Sequence, residues 1–321
     1  MQPGGAREPG ARTAPAGQRA GARRRAVRRR RAILACGLAG AAVLAAALLS
    51  GAGGHGHRRP PLALASPLTA GSSARSAGQS AGAAPREQAA ESNQVRALIA
   101  LGLPIYCAGL RGNEVALTFD DGPGPYTQLV LAKLRKHGIG ATFFDVARNI
   151  PLLPGATAAE RAQGGVGDHT FTHPLLTALA PGEAESEIVR AQAALERSTG
   201  GPVFLFRPPY GGRSASIDRF VSAHGMLDIL WTVDSADSLG ANYAQIERNV
   251  IGGLRGGAII LMHENHGQTV RALLAIFAAL ARKHLRAVGV SQLLTDDPPS
   301  VAQVRAGGAG CGVRAGGLSG S

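Results

Sequence analysis

From residue 114 onward, short apolar runs alternate with longer stretches whose apolar residues recur at helical spacing. The runs "EVALTF", "GATFFDV", "PVFLF", "LDILWTV", "GAIILM" and "RAVGV" have strand length and carry many β-branched or aromatic residues. Between them lie "YTQLVLAKLRKHG", "PGEAESEIVRAQAALERSTGG", "SASIDRFVSAHG", "NYAQIERNVIGG" and "QTVRALLAIFAALARKH", which read as helices. The first of these ends in Lys, Arg and His before Gly138; the second starts acidic and closes on Gly200–Gly201. Both orders complement the helix dipole and mark helix ends. The alternation predicts a parallel sheet with helices outside. This many units predicts a closed or nearly closed β/α barrel, with a doubly wound sheet as the alternative.

The flanks have a different pattern. Residues 1–31 hold ten arginines against one glutamate, a local +9 within the formal +13 of the 321-residue chain. Residues 111–296 are close to neutral. A nucleic-acid-binding protein would spread positive charge over its folded part, so that function is not expected. Residues 32–54 form an apolar Ala/Leu/Gly stretch of roughly the length that crosses a bilayer. Arginines before it predict a cytoplasmic N-terminus and an exported remainder, single-pass at the cell membrane. Small residues near its end offer the alternative of a cleaved signal and a secreted protein. Cys36 lies within this span, near its start, and reads as a bystander. Residues 55–105 read as a flexible Gly/Pro/Ala/Ser-rich linker, 106–297 as one folded domain, and 298–321 as a Gly-rich tail.

Chemistry changes the picture at the strand ends. Asp120 and Asp121 follow "VALTF", Arg207 follows "VFLF", Asp234 and Asp237 follow "ILWTV", and His263 follows "AIILM". In a β/α barrel, the carboxyl ends of the strands converge on one mouth. His169 and His173 are four apart, so one helical turn or a tight loop would present both rings together. Pro174 limits any helix there. Two imidazoles and a carboxylate suit zinc or a similar divalent metal with a position left for water. One aspartate would bind the metal and the other would act as general base. Arg207 would hold that base ionised, and His263 would protonate a leaving group. Taken singly, each residue has a bland reading as turn former, solvated side chain or satisfied core group.

The motifs "TFDDGP", "HTFTH", "RPPY", "VDSAD" and "ILMH", in this order, resemble the five motifs of the polysaccharide deacetylases, the NodB-homology group of carbohydrate esterase family 4. The resemblance covers residues 113–294. It implies a distorted β/α barrel with fewer strands than eight. It implies Asp120 as base, Asp121, His169 and His173 as metal ligands, Arg207 as the group orienting Asp120, and His263 as acid tuned by Asp237. The backbone N–H of Tyr210 would hold the oxyanion, with Pro209, Ser238 and Leu261 toward substrate. The implied cofactor is zinc, with cobalt as an alternative. The implied substrates are acetylated polysaccharides: peptidoglycan, chitin oligomers or acetylxylan, cut by a monomer.

The chain also departs from that pattern. Ser238 stands where the family commonly has Trp, Glu264 where Asp is common, Asp168 where Asn is frequent, and Gly165 where an acidic residue or His is frequent. None removes a ligand, the base or the acid. The rival reading is a catalytically silent glycan-binding wall protein on the same fold. A metallopeptidase is disfavoured because no H-E-x-x-H occurs. Cys107 and Cys311 flank the expected domain and would form either a disulfide in an oxidising compartment or two free thiols.

Overall fold

The computed structural model describes residues 93–312. The expected basic tail, transmembrane span, most of the linker and the end of the Gly-rich tail lie outside the described residues. Among the described residues, no helix is long and apolar enough to cross a membrane.

Eight strands form one sheet: β1 (Glu114–Gly122), β2 (Thr142–Asp145), β3 (Val166–Asp168), β4 (Leu205–Phe206), β5 (Leu227–Asp228), β6 (Val233–Asp234), β7 (Ile259–His263) and β8 (Arg286–Val288). Every pairing is parallel, in the order β5-β4-β3-β2-β1-β7-β6, and β8 pairs only with the first half of β1. Seven strands therefore make the continuous path. The expectation of fewer than eight strands holds for that path and not for the sheet as a whole.

The helices are α1 (93–99), α2 (Thr127–His137), α3 (Ala156–Gln163), α4 (Pro181–Thr199), α5 (Ala215–Ala223), α6 (Tyr243–Gly253), α7 (Gly267–Arg282), α8 (Val290–Asp296) and α9 (Val301–Ala306). Their burial follows the sequence pattern. In α4, Ala184, Ile188, Ala191 and Leu195 face inward at spacings of four, three and four. Pro181 opens that helix, the Ala180 N–H donates to the Glu183 carboxylate, and Gly200 closes it at φ 72°.

Strand β1 organises both faces of the sheet. Val115, Leu117 and Phe119 point to one side, into the apolar layer formed with α2, α6 and α7. Ala116, Thr118 and Asp120 alternate to the other, where Ala116 joins a second core with Phe144, Ile229 and Ile259. Both faces are buried, which is why "EVALTF" reads as a nearly continuous apolar run. Glu114 opens this inner face, and beyond Ala116 the face turns polar again at Thr118 and Asp120, toward the carboxyl end of the strand.

The structure corrects the sequence in three places. "LDILWTV" is not one strand: β5 ends at Asp228 and β6 begins at Val233. These are the two edge strands of the path, so four intervening residues span the gap, a reach of at most roughly 18 Å. Ile105 fills part of that gap: its N–H donates to Asp228 O, and the Leu230 N–H donates to Ile105 O. Strand β3 and helix α3 lie in a stretch that the apolar pattern did not mark, because Gly164, Gly165 and Gly167 dilute its hydrophobicity. The ordered body also extends past residues 106 and 297. Val95, Leu98 and Ile99 of α1 are buried in the inner core, and Val304 of α9 joins them. A Cys107–Cys311 disulfide, with Cα atoms 5.9 Å apart, ties the segment after α9 to the start of the domain.

Candidate active site and metal centre

The side chains singled out in the sequence come together at the carboxyl ends of the strands. Asp120 is in register with His263 across the β1–β7 pair, so both project from the same level of the sheet. Asp121 follows with φ 71°, a left-handed turn that swings its carboxylate away from that of Asp120. His169 directly follows β3. His169 to Pro174 is a loop, with Thr170 and His173 at positive φ, so the tight-loop reading of the histidine pair is the correct one.

Asp121, His169 and His173 each offer one ligand atom, and these atoms lie within 4.8 Å of one another. His173 Nε2 is 3.1 Å and His169 Nε2 3.7 Å from Asp121 Oδ1. His169 Nδ1 sits 2.7 Å from the Arg207 carbonyl oxygen. That bond places the proton on Nδ1 and turns the bare Nε2 toward Asp121, the usual orientation of a metal-ligating imidazole. Asp121 Oδ1 is buried with no hydrogen-bond donor. An orphaned carboxylate oxygen facing two imidazole nitrogens fits a divalent cation of the zinc type. Burial would raise the Asp121 pKa, but the charges of His169, His263 and His173 outweigh it and hold the carboxyl below its usual value.

Asp120 belongs to a different network. Its Oδ1 accepts from Arg207 Nη1 at 2.7 Å, while Oδ2 stays 3.7 Å from His169 Nε2. Arg207 is fully buried and crosses the interior from the end of β4. Nη1 also donates to Thr118 Oγ1, Nε donates to Ile229 O and Nη2 to Leu230 O. The break between β5 and β6 thus supplies two of the carbonyls that hold the guanidinium. Its central carbon, Cζ, lies 4.1 Å from the Phe144 ring centre and 5.7 Å from that of Trp231. Trp231, the single tryptophan of the chain, escaped the sequence reading because it sits inside an apolar run.

On the opposite side, His263 Nδ1 is 2.6 Å from Asp237 Oδ1, and the His263 N–H donates to Asp237 Oδ2. Thr269 Oγ1 also donates to Oδ2. Burial disfavours the imidazolium, yet the bond to Asp237 and that carboxylate's charge lift the His263 pKa to about 9. Burial likewise opposes ionisation of Asp237, but the bond and charge of His263 bring its pKa down to about 2. Asn265, another residue the sequence gave no reason to mark, donates to Asp121 Oδ2 at 3.2 Å.

The expected substrate-side residues are distributed unevenly. Pro209 is buried; Tyr210 is 63% exposed, has φ 60°, and packs edge-on against His173 at 4.8 Å between ring centres. Leu261 is in register with Thr118 and buried within β7. Ser238 is exposed, and its N–H donates to Asp237 Oδ1.

Residues 109–228 match the family model described as polysaccharide deacetylase. A chitooligosaccharide deacetylase of Azorhizobium caulinodans is 36% identical over 155 residues, which cover 47% of this chain and 74% of that protein. The chain belongs to the polysaccharide deacetylase family. A peptidoglycan-N-acetylglucosamine deacetylase of Bacillus cereus is 34% identical over 156 residues, 48% of this chain and 57% of that protein. The chain thus spans little more than half of that curated relative. Among solved structures, a family 4 carbohydrate esterase from Streptomyces lividans in complex with acetate superposes with a TM-score of 0.53 at 36% identity, covering 58% of this chain and 95% of that one.

Two departures of this polysaccharide deacetylase family member from the common pattern now have a structural setting. Asp168 is fully buried at the end of β3, and its Oδ1 accepts the Thr170 N–H at 2.7 Å. Burial pushes its pKa well up and favours the neutral acid, which has the donor and acceptor character of the more usual Asn. Glu264 turns away from His263 into the interior, where Oε2 accepts from Thr127 Oγ1.

Proposed function

We propose that this chain is a metal-dependent hydrolase that removes acetyl groups from N-acetylated polysaccharide, with N-acetylglucosamine of peptidoglycan or chitin-type oligomers as its substrate class. The observation that carries this reading is the convergence of three groups at one mouth: the Asp121–His169–His173 triad, the Asp120–Arg207 pair and the His263–Asp237 pair. The name of the Bacillus cereus relative supports N-acetylglucosamine as the sugar, and that of the Azorhizobium caulinodans relative supports chitin-type oligomers.

Zinc, or cobalt, held by Asp121, His169 and His173 would polarise the acyl oxygen and acidify water in the site. The protein's own groups do the rest. Arg207 holds Asp120 Oδ1 and leaves Oδ2 free to take the proton of the attacking water. The Tyr210 N–H, carried on the turn beside His173, donates to the oxyanion. His263, charged and aimed by Asp237, gives its Nε2 proton to the departing amine. In this reading residues 32–54 anchor the enzyme to the membrane with its domain outside, or are cleaved to release it.

Acetate release from peptidoglycan, chitin oligomers and acetylxylan, measured with and without added Zn²⁺, tests the proposal. Metal-dependent release from an N-acetylated polymer is the expected result. No release from any of them by the zinc-loaded chain would favour a silent glycan-binding protein instead.

A further inference from the structure

Behind the triad, on the far side of the Asp121–Gly122 turn, lies a second group of acidic residues with a different character. Asp145 ends β2, Glu160 lies on α3, and Glu264 follows β7. One carboxylate oxygen from each lies within 4.8 Å of the others, and all three side chains are fully buried. Both oxygens of Asp145, both of Glu160 and Oε1 of Glu264 have no hydrogen-bond partner. Among the described residues none of the three is in an ion pair. A fourth polar group lies beside the cluster: the buried Thr157 hydroxyl of α3, next to Asp145, has no fixed partner.

Three unpaired carboxyls in a dry interior need either a cation or shared protons. We infer that Asp145, Glu160 and Glu264, with the Thr157 hydroxyl, form a second cation site for a hard divalent ion of the Ca²⁺ type. The donors are all oxygen, which suits Ca²⁺ better than the mixed nitrogen and oxygen set of Asp121, His169 and His173 suits it. Lying within 4.8 Å of one another, the three oxygens are close enough for one ion with bonds of about 2.3–2.6 Å to reach them all. The site packs against the backbone that carries Asp121: a Cβ at Gly122 would collide with Glu264 Oε1 and come 2.9 Å from Asp145 Oδ1. A cation here would therefore pin together the ends of β1, β2 and β7 and helix α3, bracing the turn that presents the first metal's carboxylate.

The test is a count of bound ions on the full chain, stripped with chelator, reloaded with one equivalent of Zn²⁺ and dialysed against Ca²⁺. Wild type should hold one Zn²⁺ and one Ca²⁺. Glu160→Gln should keep Zn²⁺ and bind Ca²⁺ at least about tenfold more weakly. His169→Ala should lose Zn²⁺ and keep Ca²⁺, and its thermal midpoint should rise as Ca²⁺ is added. That last titration needs no change within the cluster, so a misfolded Glu160→Gln protein does not spoil the result. No Ca²⁺ on wild type, or Ca²⁺ retained unchanged by a folded Glu160→Gln, overturns the inference. So does a midpoint that ignores Ca²⁺ and rises only on acidification, the behaviour of carboxyls sharing protons.

Discussion

Asp120 and His263 are register partners on adjacent parallel strands, so the carboxylate held by Arg207 and the imidazole held by Asp237 face one reaction space from the same level of the sheet. Each is fixed by its own buried partner.

The division of labour between Asp120 and Asp121 is open to direct measurement. Asp120→Asn should retain one Zn²⁺ per site and lose about 10²–10⁴-fold in kcat, the range for removal of a general base. His169→Ala should lose the metal itself. Metal content and kcat measured on both variants separate the roles, and equal metal loss in the two would contradict them.

Asp237→Asn should act through pH. In the metal-free protein His263 has its pKa raised to about 9, so its charge contributes stability fully below its unfolded value near 6.5, and that contribution is lost as pH rises through 9. An amide in place of the carboxylate removes the main force lifting it. The alkaline limb of kcat should then move down toward the ordinary imidazole range. Rate profiles from pH 5 to 10 for both proteins check this, and an unmoved limb would exclude His263 as the acid.

Arg207→Ala should destabilise the domain by about 3–5 kcal/mol, since Asp120 would be left buried and unpaired. Arg207→Lys should rescue little. One ammonium cannot reach Asp120, Ile229 O and Leu230 O together as the guanidinium fork does. Urea unfolding of the three proteins gives the comparison.

The Cys107–Cys311 bridge closes a loop with a sequence separation of 204. Cys107→Ser should cost about 2–5 kcal/mol, the range for loss of a native disulfide. Of the three cysteines, only Cys36 should react with a thiol reagent in the denatured, unreduced chain. Three reactive thiols would exclude the bridge.

Ser238 stands next to the residue that positions His263 and replaces the bulkier Trp implied by the family resemblance. Less apolar surface at the acyl group should let propionyl substrates compete with acetyl ones, each lost methyl-sized contact counting for roughly 0.8 kcal/mol. Ser238→Trp should narrow that tolerance. The ratio of kcat/KM for acetylated and propionylated glucosamine oligomers reports it, and an unchanged ratio would place Ser238 away from the acyl pocket.

Much of this protein was legible without coordinates because the relevant signals are local. The continuous apolar run of "EVALTF" marks a strand buried on both faces, helical spacing in "PGEAESEIVRAQAALERSTGG" fixes which side of that helix is buried, and a polar residue ending an apolar run marks a strand's carboxyl end. Asp120, Asp121, Arg207 and His263 could therefore be placed at one mouth from the chain alone. What periodicity cannot encode is which element lies beside which. The break in "LDILWTV" follows from the sheet's two edges being joined by four residues and from Arg207 drawing on the carbonyls of Ile229 and Leu230. Asp145, Glu160 and Glu264 lie 15 and 104 positions apart in sequence and each looks like an ordinary polar residue there. Only the packing of α3 against β2 and the end of β7 brings their carboxyls into one dry space, because burial and electrostatic contact are properties of the assembled fold.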